Sequence, residues 1–191
     1  MDAPTNDHRR RLLQAMGVVA GAHGVAGVTI ADLVREAGVS KRTFYEHFTS
    51  KEDCFLSLYR AVSHVALEEL KAAVTSDRPW EEQLEQALSA YLNHLSGSPE
   101  LLRTLFVEVQ HLGEAGAKAR RAVMQEVSEF LLSTVHGGKG TADLDASLAL
   151  AAVGGINELI LLAVEQGRAA ELPMLTAQAG EVVRRLTRRA Q

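Results

Sequence analysis

Residues Thr29–Phe48 read TIADLVREAGVSKRTFYEHF. Thr29 and Asp32 stand at the Thr-x-x-Asp spacing of a capping box, in which two side chains satisfy the free N–H groups of a helix start. The spacing predicts a short helix to about Glu36. Ala37-Gly38-Val39 then makes a tight turn, because Gly38 can take a positive φ without strain. Ser40 is a good N-cap for a further short helix to about His47. Ile30, Leu33, Val34, Val39, Phe44 and Phe48 can point inward. Ser40, Lys41, Arg42, Thr43, Tyr45, Glu46 and His47 are left outside. Two short helices about a glycine turn, packed behind a longer first helix, describe a helix-turn-helix. Its second helix enters the major groove of DNA and presents its N-terminal side chains to base edges.

The outward set has the chemistry for that task. Lys41 and Arg42 are long donors near the helix start, and Arg42 can take guanine O6 and N7 in a bidentate fork. Thr43 can touch a base or a phosphate, while Tyr45, His47 and Lys51 can hold phosphates. The helix starts at Thr29 and Ser40 add backbone N–H groups. Glu46 is repulsive beside phosphate, so it either accepts from a cytosine N4 or points away.

Outward from this stretch, helical periodicity continues in both directions. Leu12, Met16, Val19, Ala20 and His23 share one face of a first helix, from about Asp7 to Ala22, which Gly24 and Gly27 end. Ser50-Lys-Glu-Asp53 is a second capping box opening a long helix that ends near Ser76. Pro79 and Ser98-Pro99-Glu100 are further start signals. Helices are expected over about 116–136, 143–166 and 174–189, with Gly137–Gly140 a flexible break and 167–173 a loop. No strand, repeat or low-complexity tract is read. The fold class is all-α with about nine helices, divided into a DNA-binding domain over 1–50 and a helical ligand-binding and dimerisation domain over 51–191.

Composition supports this frame. The chain has 191 residues, 47% of them apolar and 5% aromatic, a balance that favours helix over sheet. Its net charge of −4 is unevenly spread: residues 1–51 hold seven Lys and Arg against five Asp and Glu. A mildly basic head on an acidic body suits DNA binding at one end. Arg9, Arg10 and Arg11 read as a solvated face that attracts phosphates nonspecifically. The single cysteine, Cys54, reads as a small core residue in a cytoplasmic protein. No signal peptide follows the basic N-terminus, and the apolar run Ala146–Ile156 is too short to span a bilayer. The seven histidines show no short metal-ligand spacing, so no metal and no cofactor are expected.

Ala-Gly-Val-Ser40, then Thr43-Phe-Tyr-Glu-His-Phe48, then Ser50-Lys-Glu52 resemble the DNA-binding domain of the tetracycline-repressor (TetR) family, over roughly residues 8–60. The resemblance implies that Thr29, Ser40, Thr43, Tyr45, His47 and Lys51 occupy DNA-contacting positions. Val34, Arg42 and Glu46 depart from its commonest pattern. It also implies a dimer closed by a four-helix interface from the last two helices of each subunit.

One helix-turn-helix has little contact area, and two of them one turn of DNA apart read a near-palindrome. The body is therefore expected to form a homodimer. Ala146, Ala149, Ala152 and Gly155 on the penultimate helix, with Leu175, Val182 and Leu186 on the last, are the expected interface. A pocket for a small-molecule effector is expected among Trp80, Tyr91, His94, Phe106, His111, Met124, Phe130, Asn157 and Glu158. Each of these can equally be core. The function read from the sequence is a ligand-responsive transcriptional repressor on a palindromic double-stranded DNA operator. The alternative is an activator or architectural factor without an inducer. No nucleophile motif, phosphate loop or metal pair argues for an enzyme.

Overall fold

The computed structural model describes residues 3–75, 77–137 and 142–189. Nine α-helices run through them: α1 (Ala3–Gly27), α2 (Ile30–Ala37), α3 (Lys41–His47), α4 (Lys51–Ala72), α5 (Trp80–Ser96), α6 (Pro99–Glu108), α7 (Gly113–Gly137), α8 (Ala146–Glu165) and α9 (Thr176–Leu186). Short 3-10 helices at Val109–Leu112 and Ala169–Leu175 join α6 to α7 and α8 to α9.

The local signals around Gly38 act as read. The Thr29 hydroxyl accepts from Asp32 N–H, and the Asp32 carboxylate accepts from Thr29 N–H. Gly38 ends α2 at φ 61°. A Cβ there would lie 2.6 Å from Arg11 Nη2, the mobile end of a long side chain, so it is the positive φ that calls for glycine. Ser40 accepts from Thr43 N–H to start α3. At α4, Ser50 accepts from Asp53 N–H, but the Asp53 carboxylate reaches back to Thr49 rather than to Ser50.

Other boundaries moved. α1 continues through Gly24 to Gly27 with a kink at Gly24, and His23 is exposed rather than packed. α4 stops at Ala72. α8 starts at Ala146, where the Asp145 carboxylate accepts from Leu148 N–H at 2.8 Å. Ala142–Asp143 pair antiparallel with Arg188–Arg189, a two-residue ladder where the pattern had suggested helix. The expected break at Gly137–Gly140 falls, from residue 138 onward, outside the described residues.

The helices bury two main apolar clusters. One joins Leu12 and Met16 of α1, Leu33 of α2, and Phe44 with Phe48 at α3 to Phe55, Leu58 and Tyr59 of α4. Leu105, Val109 and Ala119 from farther along the chain complete it, so the head's core reaches well past residue 50. The other lies among α5–α9, with Leu92, Leu144, Ile160, Leu172 and Val183 at its centre. α8 packs against α6, α7 and α9. By length and composition it is long and apolar enough to cross a membrane, because the apolar run resumes after Glu158 and continues to Val164. Its buried residues Ala149, Ala152, Val153, Ile156 and Ile160 make it the central helix of the body.

Candidate nucleic-acid interface and ligand cavity

α3 is held from behind by its own aromatics. Phe44 and Phe48 are buried, with ring centroids 5.7 Å apart. Their burial turns Lys41, Arg42, Tyr45 and Glu46 to the surface, with Thr43 and His47 half-exposed. Tyr45 is 59% exposed. Its ring meets Phe44 edge-on at 5.5 Å, which steadies it while leaving the hydroxyl outward. Thr29 and Ser40 are exposed too, but their side chains are occupied in capping.

Glu46 is paired within its own helix. Its carboxylate accepts from Arg42 Nε at 3.2 Å, one turn along α3. This engages one edge of the guanidinium and leaves the two terminal nitrogens as a free fork. The pair is highly exposed, 90% at Arg42, so it contributes at most a few tenths of a kcal/mol, about 0.3–0.5, to stability. Its consequence is orientation.

Lys51 differs from expectation. It is half-buried, and Nζ donates to the Ala26 and Val28 carbonyls at 2.9 and 2.8 Å. The ammonium closes the link between α1 and α2, and one of its three N–H groups remains for a phosphate. The arginine run is similarly committed. Arg9 lies over the Phe48 ring at 5.6 Å. Arg10 pairs with Asp7 at 2.6 Å. Arg11 Nη2 donates to the Gly38 carbonyl at 3.1 Å. Two of the three arginines thus brace α1 against the helix-turn-helix, a role that spacing alone could not reveal because the partners are some 27–39 residues away in sequence.

Cys54 is fully buried, and burial pushes its thiol up to about 12. It stays protonated at neutral pH and its thiol faces the Leu12 carbonyl, a core residue as read.

Between α5, α7 and α8 lies an apolar cavity lined by Leu84, Leu88, Tyr91, Met124, Val127, Phe130, Val153, Ile156, Asn157 and neighbours. About 50 Å³ is free to a water-sized sphere. Tyr91 and Asn157 supply its only side-chain oxygen and nitrogen groups among the described residues. Burial raises the Tyr91 phenol well above its ordinary value, so it is neutral and can donate. Four of the nine expected lining residues are therefore gathered here: Tyr91, Met124, Phe130 and Asn157. The other five are elsewhere. Trp80 is packed in the body core, and Phe106 lies half-buried against it. His94 lines a wide open groove between α1, α4 and α6. His111 is exposed in the 3-10 turn. Glu158 is exposed on the outer face of α8, since consecutive helical residues diverge by about 100° and only Asn157 can face inward. The aliphatic wall of Leu84, Leu88, Val153 and Ile156 was not singled out, because its spacing is that of any buried helix face.

The expected dimer face also divides. Ala149 and Ala152 are wholly buried inside their own subunit. A stripe at steps of three falls about 60° short of a full turn each time, so it winds off one face. Ala146 and Gly155 are exposed, and Leu175, Val182 and Leu186 are half-buried against their own core. The outer face of α8 is instead Ser147, Ala151, Gly155, Glu158 and Leu162, flanked by Leu150. Leu150 and Leu162 are each 47% exposed.

A braced helix-turn-helix with a polar outward face is thus set on a mainly helical body that holds an internal cavity. Residues 12–58 match the family model described as bacterial regulatory proteins, tetR family, so this stretch is a DNA-binding domain of the TetR type. Among curated relatives it is similar to the uncharacterized HTH-type transcriptional regulator YxbF of Bacillus subtilis, 27% identical over 84 residues. That alignment covers 44% of this chain and only 22% of the relative. Solved structures share the fold over nearly the whole length. The fatty acid degradation regulator FadR from Bacillus halodurans superposes with a TM-score of 0.76 at 18% identity, covering 92% of this chain and 93% of that one. FadR from Bacillus subtilis, solved in complex with stearoyl-CoA, gives 0.75 at 20% identity, covering 91% and 96%.

Proposed function

We propose that the protein is a homodimeric repressor that binds a palindromic DNA operator through α3 and leaves it when a small molecule with an apolar chain enters the body. The observation that carries the DNA half is the face of α3: Lys41, Arg42, Thr43, Tyr45 and His47 lie outward on a helix anchored by buried Phe44 and Phe48. Arg42 reads a guanine, while Lys41, Tyr45 and His47 hold backbone phosphates. Thr29, Ser40 and Lys51 act first as structural ties beneath that surface.

Support for the dimer is the chemistry of α8. Apart from Ser147, Asn157, Glu158 and Glu165 it is apolar throughout, and a helix of that kind is normally covered over most of its surface. Half of it is covered within the subunit. A second copy would cover Leu150, Ala151, Gly155 and Leu162, whose small members let helices approach closely. The half-covered Leu175, Val182 and Leu186 would lie at the margin. Two reading heads at the spacing of one DNA turn, about 34–36 Å, would follow.

Support for the sensing half is the cavity and its FadR neighbour's bound stearoyl-CoA. Aliphatic walls with only Tyr91 and Asn157 to donate suit a long apolar chain ending in a carbonyl. At about 50 Å³ the free space is far below the roughly 300 Å³ at the low end of ligand sites. A ligand must therefore part α5, α7 and α8, and it shifts the protein only through its preference for the parted state. The same narrowness favours the second reading, a DNA-binding activator or architectural factor with no inducer. Either would act where the chromosome lies, in the cytoplasm.

Selection of random duplexes by the purified protein tests the DNA half, and recovery of paired half-sites at helical-turn spacing is expected. No enrichment at low salt by folded protein would sink it. Adding stearoyl-CoA to the selected complex then separates the two readings. Release supports sensing of acyl chains, and retention with this and shorter acyl chains favours the inducer-free alternative.

A further inference from the structure

Beside the apolar contacts of Leu105, Val109 and Ala119 with the head, one carboxylate of the body bonds to the head's backbone. Glu108 is the last residue of α6, beside the negative end of the helix dipole, where an acid is disfavoured. It is half-buried. Its Oε2 accepts from Val25 N–H at 2.7 Å, across 83 residues of sequence. That N–H is available because Gly24, at φ 65° and ψ 159°, breaks the helical run of α1. This conformation belongs essentially to glycine. A Cβ on Gly24 would also stand 3.2 and 3.3 Å from the two Glu108 oxygens. The backbone break and the carboxylate therefore fit each other.

The segment so held is short and central. Lys51, from the first turn of α4, grips its other end at the Ala26 and Val28 carbonyls. Thr29, the cap of α2, follows at once. On the body side, the 3-10 turn Val109–Leu112 separates Glu108 from α7, and α7 supplies Met124, Val127 and Phe130 to the cavity wall.

We propose that Glu108 is a positioning residue that fixes the reading head relative to the body, and that it carries a shift of the α6–α7 joint to α2 and α3 through Val25. This rests on the DNA-binding function proposed above. Widening the cavity displaces α7, the joint moves with it, and the Val25–Val28 link follows Glu108 while Lys51 holds it to α4. Without the Glu108 bond, the head keeps its fold and its apolar contacts with the body, and its orientation is held less tightly.

The test uses full-length protein and duplexes carrying two copies of the selected half-site at graded spacings. Wild-type protein is expected to prefer one spacing sharply. Glu108→Ala should reduce its preference for that spacing over one shifted by a base pair at least about fivefold, the lower end of ordinary coupling between sites. Glu108→Gln, whose amide oxygen still accepts from Val25 N–H, should retain the preference. Hydrogen exchange at the Val25 amide should quicken in the alanine variant and not in the glutamine variant. If Glu108→Ala does not fold, Glu108→Asp keeps the charge and shortens the reach, and the preference must fall there as well. An unchanged spacing profile in the folded variant, with only a lower melting temperature, overturns the role while leaving DNA reading intact. Wild-type protein that selects no paired half-sites overturns both.

Discussion

Every helix of the reading unit after α1 begins with a side-chain cap: Thr29 for α2, Ser40 for α3 and Ser50 for α4. In the body, α5, α6 and α9 begin without one, and Asp145 of α8 is the exception. Each cap stabilises a helix start by about 0.5–2 kcal/mol. The head adds long polar ties, Arg11 to Gly38 and Lys51 to Ala26 and Val28. The body relies on aliphatic packing around a cavity. The contrast teaches a division of labour. Directional bonds fix α3 against α1, so a reading surface keeps its geometry. Nondirectional contacts place α5, α7 and α8 under no such bond, which suits the sensing role proposed for the cavity between them.

The strongest way to break this comparison is Phe44→Ala. Removing a fully buried aromatic should cost about 3–5 kcal/mol. Calorimetry is expected to show a head transition moved well below that of the body, with DNA binding lost. A single transition in which head and body melt together would mean that the shared residues Leu105, Val109 and Ala119 bind the two regions into one unit.

Leu162→Glu probes the body's exposed face. Burying an unpaired polar group costs about 1–3 kcal/mol in each copy, so if the proposed dimer forms through this face, sedimentation should show the variant as a monomer. Unchanged assembly would place the contact elsewhere.

Lys51→Ala sharpens the view of the head. Two carbonyls lose their donor, and about 1–3 kcal/mol of head stability should go with them, read as a lower melting temperature. If Lys51 served phosphate alone, the salt slope of DNA binding would instead fall by about one with stability unchanged.

Arg42→Ala should relax specificity at one base position by about 1–3 kcal/mol in a selection experiment. Glu46→Gln should blur the same position less, because the fork stays and only its orientation is freed. Uniform weakening across sequences would remove Arg42 from base reading.

The smallest effect is acid sensitivity at α2. Asp32 is held below its ordinary 3.8, first by its hydrogen bond from the Thr29 side chain and then by Arg35. A carboxyl depressed in the folded state contributes stability that is complete above the unfolded value and is lost as pH falls through the folded value. The α2 start should therefore loosen only below about pH 3.8. Backbone amide exchange at Asp32 and Leu33 tracks this loosening, and Thr29→Ala should bring it to higher pH.

Much of the head was legible in sequence because its determinants are local. A cap and its target are three residues apart at Thr29 and Asp32, and the turn at Gly38 depends on one φ angle. Phe44 and Phe48 could be sorted from Lys41 and Arg42 by helical period. The pairing of Arg42 with Glu46 follows the same i, i+4 geometry, and composition alone left its direction open. In the body the same period misled. Ala149 and Ala152 have the size of interface residues, yet they point into their own core. Asn157 and Glu158 are neighbours in sequence and look in different directions.

By itself the sequence determined where α2 and α3 start and stop, which side chains of α3 face outward, and that the chain is mainly helical. Those features depend on contacts within a turn or two, which residue order specifies directly. Tertiary structure alone decided that Lys51, Arg9 and Arg11 brace the head, that Glu108 joins it to the body, which residues enclose the cavity, and which side of α8 stays bare. Each of these depends on how far one helix is rotated and shifted against another, a quantity set by the sum of many weak apolar contacts and carried by no single motif.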